Sequence, residues 1–391
     1  MFYVGIDIAK RSHQAAIIDG EGHLISQGFS FSNSQEGCDK VIAELERHSI
    51  PKNDVMIGME STGHYWLSVY CYLMEQGYTL YCFNAIQSDS FRNMYIRQTK
   101  TDKTDAFIIA QIMRFGQFSS TSLADEKTLS IRQLSRYRFS LVDNCSDIKR
   151  KVIALLDQVF PEYASLFSDV FGVTSREILL NYQTPEDMIS VNPKKLAAIL
   201  KKASRGRFGS PKVEQLQSAA KNSFGITFAK DAFCIQIKQL IEQLNMLDKQ
   251  IKEIEKELKR LLKDSAVIIT SITGIGDVLG AAIIGEIGGI SRFSNPNKLV
   301  AYAGLDSSVK QSGQFIGTQT KISKRGSPYL RRAIWLAATV AAFNDPALSK
   351  YYQSLRDRGK HHLTAIGAVA RKMCNIIFAV LGSGIPYTPA V

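Results

Sequence analysis

Two aspartates three positions apart, Asp102 and Asp105 in RQTKTDKTDA (97–106), share one face if that stretch opens a helix. Their neighbours Arg97, Lys100 and Lys103 are basic. Two further acids occupy comparable points. Asp7 lies in the apolar run FYVGIDIA (2–9), where a carboxylate is costly to bury unless it is paired or bound to metal. Glu60 closes DVMIGME (54–60), a second stretch that reads as a buried strand. Each acid also has an ordinary reading. Asp7 can form a strand-end turn, Glu60 can be half of an ion pair, and the two aspartates can serve a helix start with Thr101 or Thr104. Taken together, four carboxylates at strand ends and at the start of a later helix repel one another unless divalent cations hold them. An all-oxygen set suits magnesium (or manganese), and such sets clamp the phosphorus centre in two-metal phosphoryl transfer. The lysines and arginines then meet the phosphate backbone on which the metal acts.

The elements that must position these acids follow from hydrophobic patterning. After the first strand, HQAAIIDGEGHLISQGFSF supplies two more around the turn residues Asp19–Gly22. A helix from Ser34 to His48 has Ser34 as N-cap and Cys38, Val41, Ile42 and Leu45 on its apolar face. The strand ending at Glu60, a helix over 63–77 and a strand over 78–84 complete the order βββαβαβ. That order predicts an α/β sheet built from a hairpin run followed by parallel crossovers, with the Asp7 and Glu60 strands side by side. From 106 to 158 the pattern is helical, and 161–229 reads as two or three short helices. Over 232–263, Ile237, Leu240, Leu244, Leu247, Ile251, Ile254, Leu258 and Leu261 recur at alternating spacings of 3 and 4. This heptad predicts a coiled coil that joins protomers into a dimer or tetramer; the alternative is an amphipathic helix packed on its own domain. The organisation expected is three parts: 1–158, a helical middle over 159–264 and a mainly α region over 265–391.

Within the last part, SITGIGDVLGAAIIGEIG (271–288) has the helix-hairpin-helix pattern, in which Gly274 and Gly276 let backbone amides approach a phosphate. A tight turn inside a core fits the same residues. Further on, Lys321, Lys324, Arg325, Arg331 and Arg332 form a dense cationic run interleaved with serine and glycine, suited to nucleic-acid phosphates.

Composition narrows the partner. The 391 residues are 45% hydrophobic and 21% charged, a globular rather than a disordered profile. Lysine plus arginine number 48 against 36 acids, a net charge of +12 that favours a polyanion. The six cysteines form no CxxC pair and the six histidines have no ligand spacing, which argues against zinc and for thiols in a reducing compartment. The opening residues lack a signal-peptide pattern, and the apolar run at 333–343 is too short to span a bilayer. The expectation is a cytoplasmic, nucleoid-associated bacterial protein with no membrane partner.

GIDIAK with Asp7, MESTGHYW with Glu60 and KTDKTDA with Asp102 and Asp105 resemble the DEDD motif of the insertion sequence 110 family of transposases, relatives of the Piv DNA invertase. AYAGLDSSVKQSG followed by KISKRGSPYLRRAIWLAA is similar to that family's C-terminal transposase domain. The resemblance covers roughly 1–158 and 265–355 and leaves 160–230 unmatched. It implies a RuvC-like, ribonuclease-H-like N-terminal domain and a DNA recombinase in which Ser312 of the S-G motif forms a covalent link to a DNA phosphate. It further implies donor and target DNA selected by pairing with a structured non-coding guide, or bridge, RNA. On the residues alone, Ser312 reads first as a Ser-Gly turn in a basic loop, with Ser307, Ser308 and Ser323 as nearby competitors for the nucleophile. Two other functions share these features. A metal-dependent nuclease or junction resolvase would use water as nucleophile, and a non-enzymatic nucleic-acid-binding coiled-coil protein would need no metal.

Overall fold

The computed structural model describes residues 1–61, 63–83, 91, 102–116, 125–263, 266–307, 311–312, 315–316 and 321–389. The side chains of Gln27, Asp102, Ala266, Val267, Gln311, Ser312, Phe315 and Ile316 lie outside that description, as do Arg97, Lys100, Thr101 and Ser308. The chain divides into two compact units, Met1–Leu123 and Ala124–Val391.

The first unit contains β1 (Phe2–Asp7), β2 (Ser12–Ile18), β3 (Leu24–Ser32), α1 (Gln35–Arg47), β4 (Val55–Glu60), α2 (Trp66–Glu75), β5 (Thr79–Phe83) and α3 (Asp102–Phe115). The expected βββαβαβ order is present. The sheet runs β3-β2-β1-β4-β5; the first three strands are antiparallel neighbours, and β1, β4 and β5 are parallel. Ser34 caps α1 by accepting a hydrogen bond from the Gly37 amide, and Cys38, Val41 and Leu45 are buried.

Strand alternation assigns the two faces of this sheet. Val4, Ile6, Ile57, Met59 and Cys82 point into a core with α1 and α2 residues such as Val41 and Leu73. Tyr3, Met56, Tyr81 and Phe83 point the other way, onto Ile108, Ile109, Ile112 and Met113 of α3. Gly5 and Gly58 are register partners on that second face. A methyl group on Gly5 would overlap the Ala106 carbonyl oxygen and the Ala110 amide, and one on Gly58 would overlap the Met113 side chain. The helix therefore lies directly on the strand backbones.

Among its described residues the second unit is helical apart from one small hairpin. It opens with α4 (Glu126–Val159), α5 (Val173–Asn181), α6 (Pro185–Ser190), α7 (Pro193–Ala203), α8 (Ser210–Lys221) and α9 (Lys230–Leu262). It continues with α10 (Ala266–Ile269), α11 (Asp277–Ile287), α12 (Pro296–Tyr302), the strands β6 (Gln311–Ser312) and β7 (Phe315–Ile316), α13 (Pro328–Asn344), α14 (Pro346–Asp357) and α15 (His362–Ser383). The helical stretch expected to close the first domain at 158 belongs to this unit, because its apolar face packs on α9 and α11. Ile131 shares one cluster with Leu258, Leu262 and Ala281.

Helices α4 and α9 pair antiparallel: Arg138 bonds Glu255, and Cys145 lies against Asp248. The heptad face is filled inside the chain. Ile237 and Leu244 are fully buried with Val152 and Leu156, and Leu240, Leu247 and Ile251 pack on the same cluster. Ile254, Leu258 and Leu261 belong with Ile131. These contacts fit the alternative of an amphipathic helix packed on its own domain: heptad spacing identifies a buried face but not the partner that covers it. The helix-hairpin-helix expectation is also revised. Gly274 has φ +89° and sits against the backbone of Ala337 on α13, so it serves a core turn. Gly276 caps α11, whose first turn carries Asp277, paired with Lys259 at 3.1 Å. By length and composition α15 is apolar enough to cross a membrane, yet half of its most apolar window is buried, with Ile366, Val369, Met373 and Ile377 in the C-terminal core.

Two stability measurements check this packing. Gly5→Ala is expected to lower unfolding free energy by about 3 kcal/mol in urea titration, since overpacking against backbone has no flexible group to yield. Leu244→Ala is expected to cost about 2–5 kcal/mol. Sedimentation should give this variant the wild-type mass, because its partners are in the same chain.

Candidate active site

Asp7 is the last residue of β1 and Glu60 the last of β4. Because Ile6 pairs with Met59 in parallel register, the two acids follow as neighbours at the carboxyl ends of adjacent strands. They share parity with Gly5 and Gly58, so both belong to the face that α3 covers. The direction of α3 places its own acids. Its first turns meet Gly5 through Ala106, while Arg114 near its end meets Gly22 in the β2–β3 turn, beside the start of β1. The helix thus runs against β1, and its N-terminal turn reaches the strand ends that carry Asp7 and Glu60. Asp105 sits in that turn, 9% exposed, and Asp102 is the first helical residue.

The motif residues Asp7, Glu60 and Asp105 offer oxygen donors. Two nitrogen and sulfur donors of the neighbouring strands are on the other face: His13 is buried against Phe31, with ring centroids 5.0 Å apart, and Cys82 is buried in the α1–α2 core. Burial holds the His13 imidazole below its usual pKa and lifts the Cys82 thiol to about 12. Among the described residues no three His, Cys, Asp or Glu side chains are placed to hold an ion together. The side chain of the fourth acid of the motif, Asp102, lies outside the described residues. The donor types present suit a hard divalent cation rather than zinc.

Ser312 belongs to the second unit, in the hairpin where Gln311 pairs with Ile316 and Ser312 with Phe315. The base of this hairpin is zipped. Ser307 bridges Ile322, the Ser323 amide donates to the Asp306 carbonyl at 2.8 Å, and Lys324 N–H donates to the Gly304 carbonyl at 3.1 Å. Of the competing serines, Ser323 bonds the Asp306 carboxylate and Ser307 accepts from Arg371 at 3.0 Å.

The cationic run divides by partner. Arg332 forms a two-pronged ion pair with Asp143 at 2.7 and 2.8 Å and lies over the Phe139 ring, which holds the Asp143 carboxyl below its usual range. Arg331 donates to the Ala303 carbonyl. These two tie α13 to its surroundings, whereas Lys324 and Arg325 are exposed in the segment that follows the hairpin, as is Lys321.

One buried group that patterning overlooked organises the region behind that hairpin. Glu286, 1% exposed on α11, accepts two hydrogen bonds from Arg136 of α4 at 2.6 and 3.0 Å and a third from Ser327 at 2.7 Å. Ser327 is in turn the N-cap of α13. The carboxylate raises the Arg136 pKa further, while desolvation lowers that of neighbouring Arg132. An acid inside the apolar run GAAIIGEIGG was the available signal.

Residues 4–161 match the DEDD transposase family of IS110, and residues 266–353 match the family described as "Transposase IS116/IS110/IS902 family". The chain belongs to the IS110 family of transposases. Among IS110-type relatives, the mini-circle putative transposase for IS117 of Streptomyces coelicolor is 26% identical, across 93% of this chain and 89% of that protein. The pilin gene-inverting protein of Moraxella bovis is 24% identical, across 98% and 97% of the two chains. Among solved structures, Thermus thermophilus RuvC in complex with a Holliday junction substrate aligns with 31% of this chain and 99% of its own, at 14% identity and a TM-score of 0.24. An overlap that weak adds nothing to the sheet topology described above. As an IS110-family transposase, the protein is an enzyme that transfers DNA strands.

The buried network has a measurable signature. Arg136→Ala strands the Glu286 carboxylate and is expected to cost about 3 kcal/mol in urea unfolding, because an uncompensated buried charge is left behind. Adding Glu286→Gln removes that charge and should recover part of the loss; equal destabilisation by the double variant would assign the effect to lost packing.

Proposed function

We propose that this IS110-family transposase cuts and rejoins DNA through a covalent link to Ser312, with Asp7, Glu60, Asp102 and Asp105 as the ligands of magnesium or manganese. The observation that carries the reading is the parallel register of β1 and β4, which makes Asp7 and Glu60 neighbours on the face covered by the α3 turn bearing Asp102 and Asp105. When bound, a divalent ion at this edge neutralises charge that develops on the phosphate oxygens during displacement. The protein's own groups perform the rest. The Ser312 oxygen forms a bond to phosphorus as the bond from phosphorus to one sugar oxygen breaks. The hydroxyl proton leaves Ser312, and the released sugar oxygen takes up a proton, so the step is balanced. One phosphodiester replaces another, so strands can later be rejoined by the reverse attack with no external energy source. Hydrolysis by water would break that economy of bonds, which separates this reading from a resolvase.

Lys324 and Arg325, exposed beside the hairpin, suit the phosphates on either side of the attacked one. Choice of donor and target sequence fits delegation to a structured bridge RNA that pairs with both DNAs, leaving the protein to read backbone and shape. The excess of 48 basic over 36 acidic residues is compatible with both nucleic acids at once. Homo-oligomerisation, in this reading, uses a surface other than the α9 heptad face.

Incubation of the full chain with Mg²⁺, element-end DNA and the RNA transcribed beside the gene is expected to give a denaturant-resistant protein–DNA adduct. Ser312→Ala should give none. Asp105→Asn should bind the DNA with wild-type affinity yet also give none, since binding rests on Lys and Arg. An adduct that survives in Ser312→Ala would move the nucleophile elsewhere, and cleavage by Asp105→Asn would remove that residue from the metal set.

A further inference from the structure

Most arginines of the second unit that are engaged by charge have a carboxylate of their own: Arg136 has Glu286, Arg138 has Glu255, Arg176 has Asp248, Arg260 has Glu257 and Arg332 has Asp143. A second group differs. A cavity of about 810 Å³ opens between α13, α14, α15 and the base of the Ser312 hairpin. Lys321, Lys324, Arg358, Lys360 and Arg371 line it, and no Asp or Glu is among the described residues of its wall. Among the described residues, no carboxylate stands within ion-pairing distance of Lys324, Arg358, Lys360 or Arg371. The contacts that Arg358 and Arg371 make are to neutral oxygens, the Ser354 carbonyl at 3.1 Å and the Ser307 hydroxyl at 3.0 Å. Such contacts orient a guanidinium without cancelling its charge. Positive charge concentrated in a concavity with no carboxylate among its described lining residues is matched by a polyanion laid along it.

The remaining wall is aromatic. Trp335 and Tyr351 face the same cavity, and Lys372 lies over the Tyr351 ring at 4.4 Å. Cations that track a backbone, combined with rings on which bases stack, are the two parts of a site for unpaired nucleic acid; a duplex hides its base faces. The groove wall is also the root of the hairpin, through the Ser307–Ile322 bridge, so a strand held there is a short distance along the chain from Ser312. We propose that this groove holds a single-stranded segment of the DNA undergoing exchange, with phosphates on Lys324, Arg358, Lys360 and Arg371 and bases against Trp335 and Tyr351. The assignment of DNA rests on the transposase reading above; the phosphodiester-plus-base chemistry comes from the groove itself.

The test is a salt titration of the full chain with a fluorescein-labelled single-stranded DNA of mixed sequence, about 15 nucleotides long. For single strands, the slope of log affinity against log salt is about −0.7 per neutralised phosphate. Arg358→Ala with Lys360→Ala, both exposed, should therefore reduce the slope by about 1.4. Trp335→Ala should leave the slope unchanged and weaken binding about 5- to 150-fold, the range for loss of one stacked base. Lys201→Ala with Lys202→Ala, at the end of α7, removes the same charge far along the chain and should leave both quantities unchanged. A slope unaltered by the Arg358/Lys360 pair, or lowered equally by the Lys201/Lys202 pair, overturns the groove while wild-type binding leaves the transposase reading intact. Losses seen with an RNA oligonucleotide of the same length but not with DNA overturn it also, in favour of RNA. Parallel losses on DNA and RNA support it as a backbone-and-base site. A wild-type chain that binds no DNA at low salt removes the reading on which it rests, whatever the variants do.

Discussion

Glycine opposite glycine on β1 and β4 is the constraint from which the first unit follows. Gly5 and Gly58 leave the centre of one sheet face without side chains, and α3 settles onto the strand backbones through Ala106 and Ala110. Small residues on both sides allow that approach, and large ones around it, Ile109 and Met113 with Phe83, seal it. A helix seated this closely has little freedom to slide or turn. Its direction then decides which end of the sheet receives Asp102 and Asp105. The shared sheet end of Asp7, Glu60 and the α3 N-terminus thus follows from an apolar contact several residues away.

The second unit solves the opposite problem, since the segment that carries Ser312 must be held at a fixed root. Glu286 does this from inside. Three hydrogen bonds, two from Arg136 and one from Ser327, satisfy a carboxylate that would otherwise be very costly at 1% exposure. The same bonds fasten α4, α11 and the first turn of α13 to one point. Arg332 repeats the device at the surface by clamping α13 to Asp143. Charged groups here position the loop that follows α12, while the apolar core behind them, from Ile272 to Ile377, supplies the bulk of the burial.

What the sequence made legible follows from which interactions are local. Strand order, the Ser34 cap and the acids at strand ends depend on residues near one another in the chain, and all were readable. Partners across long separations were not. The spacing of Ile237 to Leu261 announced a buried face, yet its cover is α4, whose stripe of Ile131, Ile148, Val152 and Leu156 is interleaved with cations that obscured it. Arg331 and Arg332 looked like members of one phosphate-facing run until a carboxylate more than 180 positions upstream and a carbonyl took them. Conversely, Arg358, Lys360 and Arg371 are unremarkable in the sequence because three helices and a hairpin root are needed to bring them together.

The antiparallel pair α4–α9 has a consequence for how this architecture can vary. The two helices, 34 and 33 residues long, extend side by side for about 50 Å at about 1.5 Å per residue. Everything from residue 160 to 229 is inserted at one end, where the chain leaves α4 and re-enters α9, and its Leu196, Leu200, Val213 and Leu216 share one cluster with Val152 and Leu156 of α4 and Ile237 and Leu244 of α9. The other end is anchored by Ile131, Leu258, Leu262 and Ala281. A matched loss or gain of seven residues in each helix would move the inserted portion by about 10 Å and rotate it by only about 20°, because seven residues are nearly two whole turns. Reach is therefore an adjustable dimension of this protein, set in discrete increments, while the helical bundle at the anchored end stays as it is.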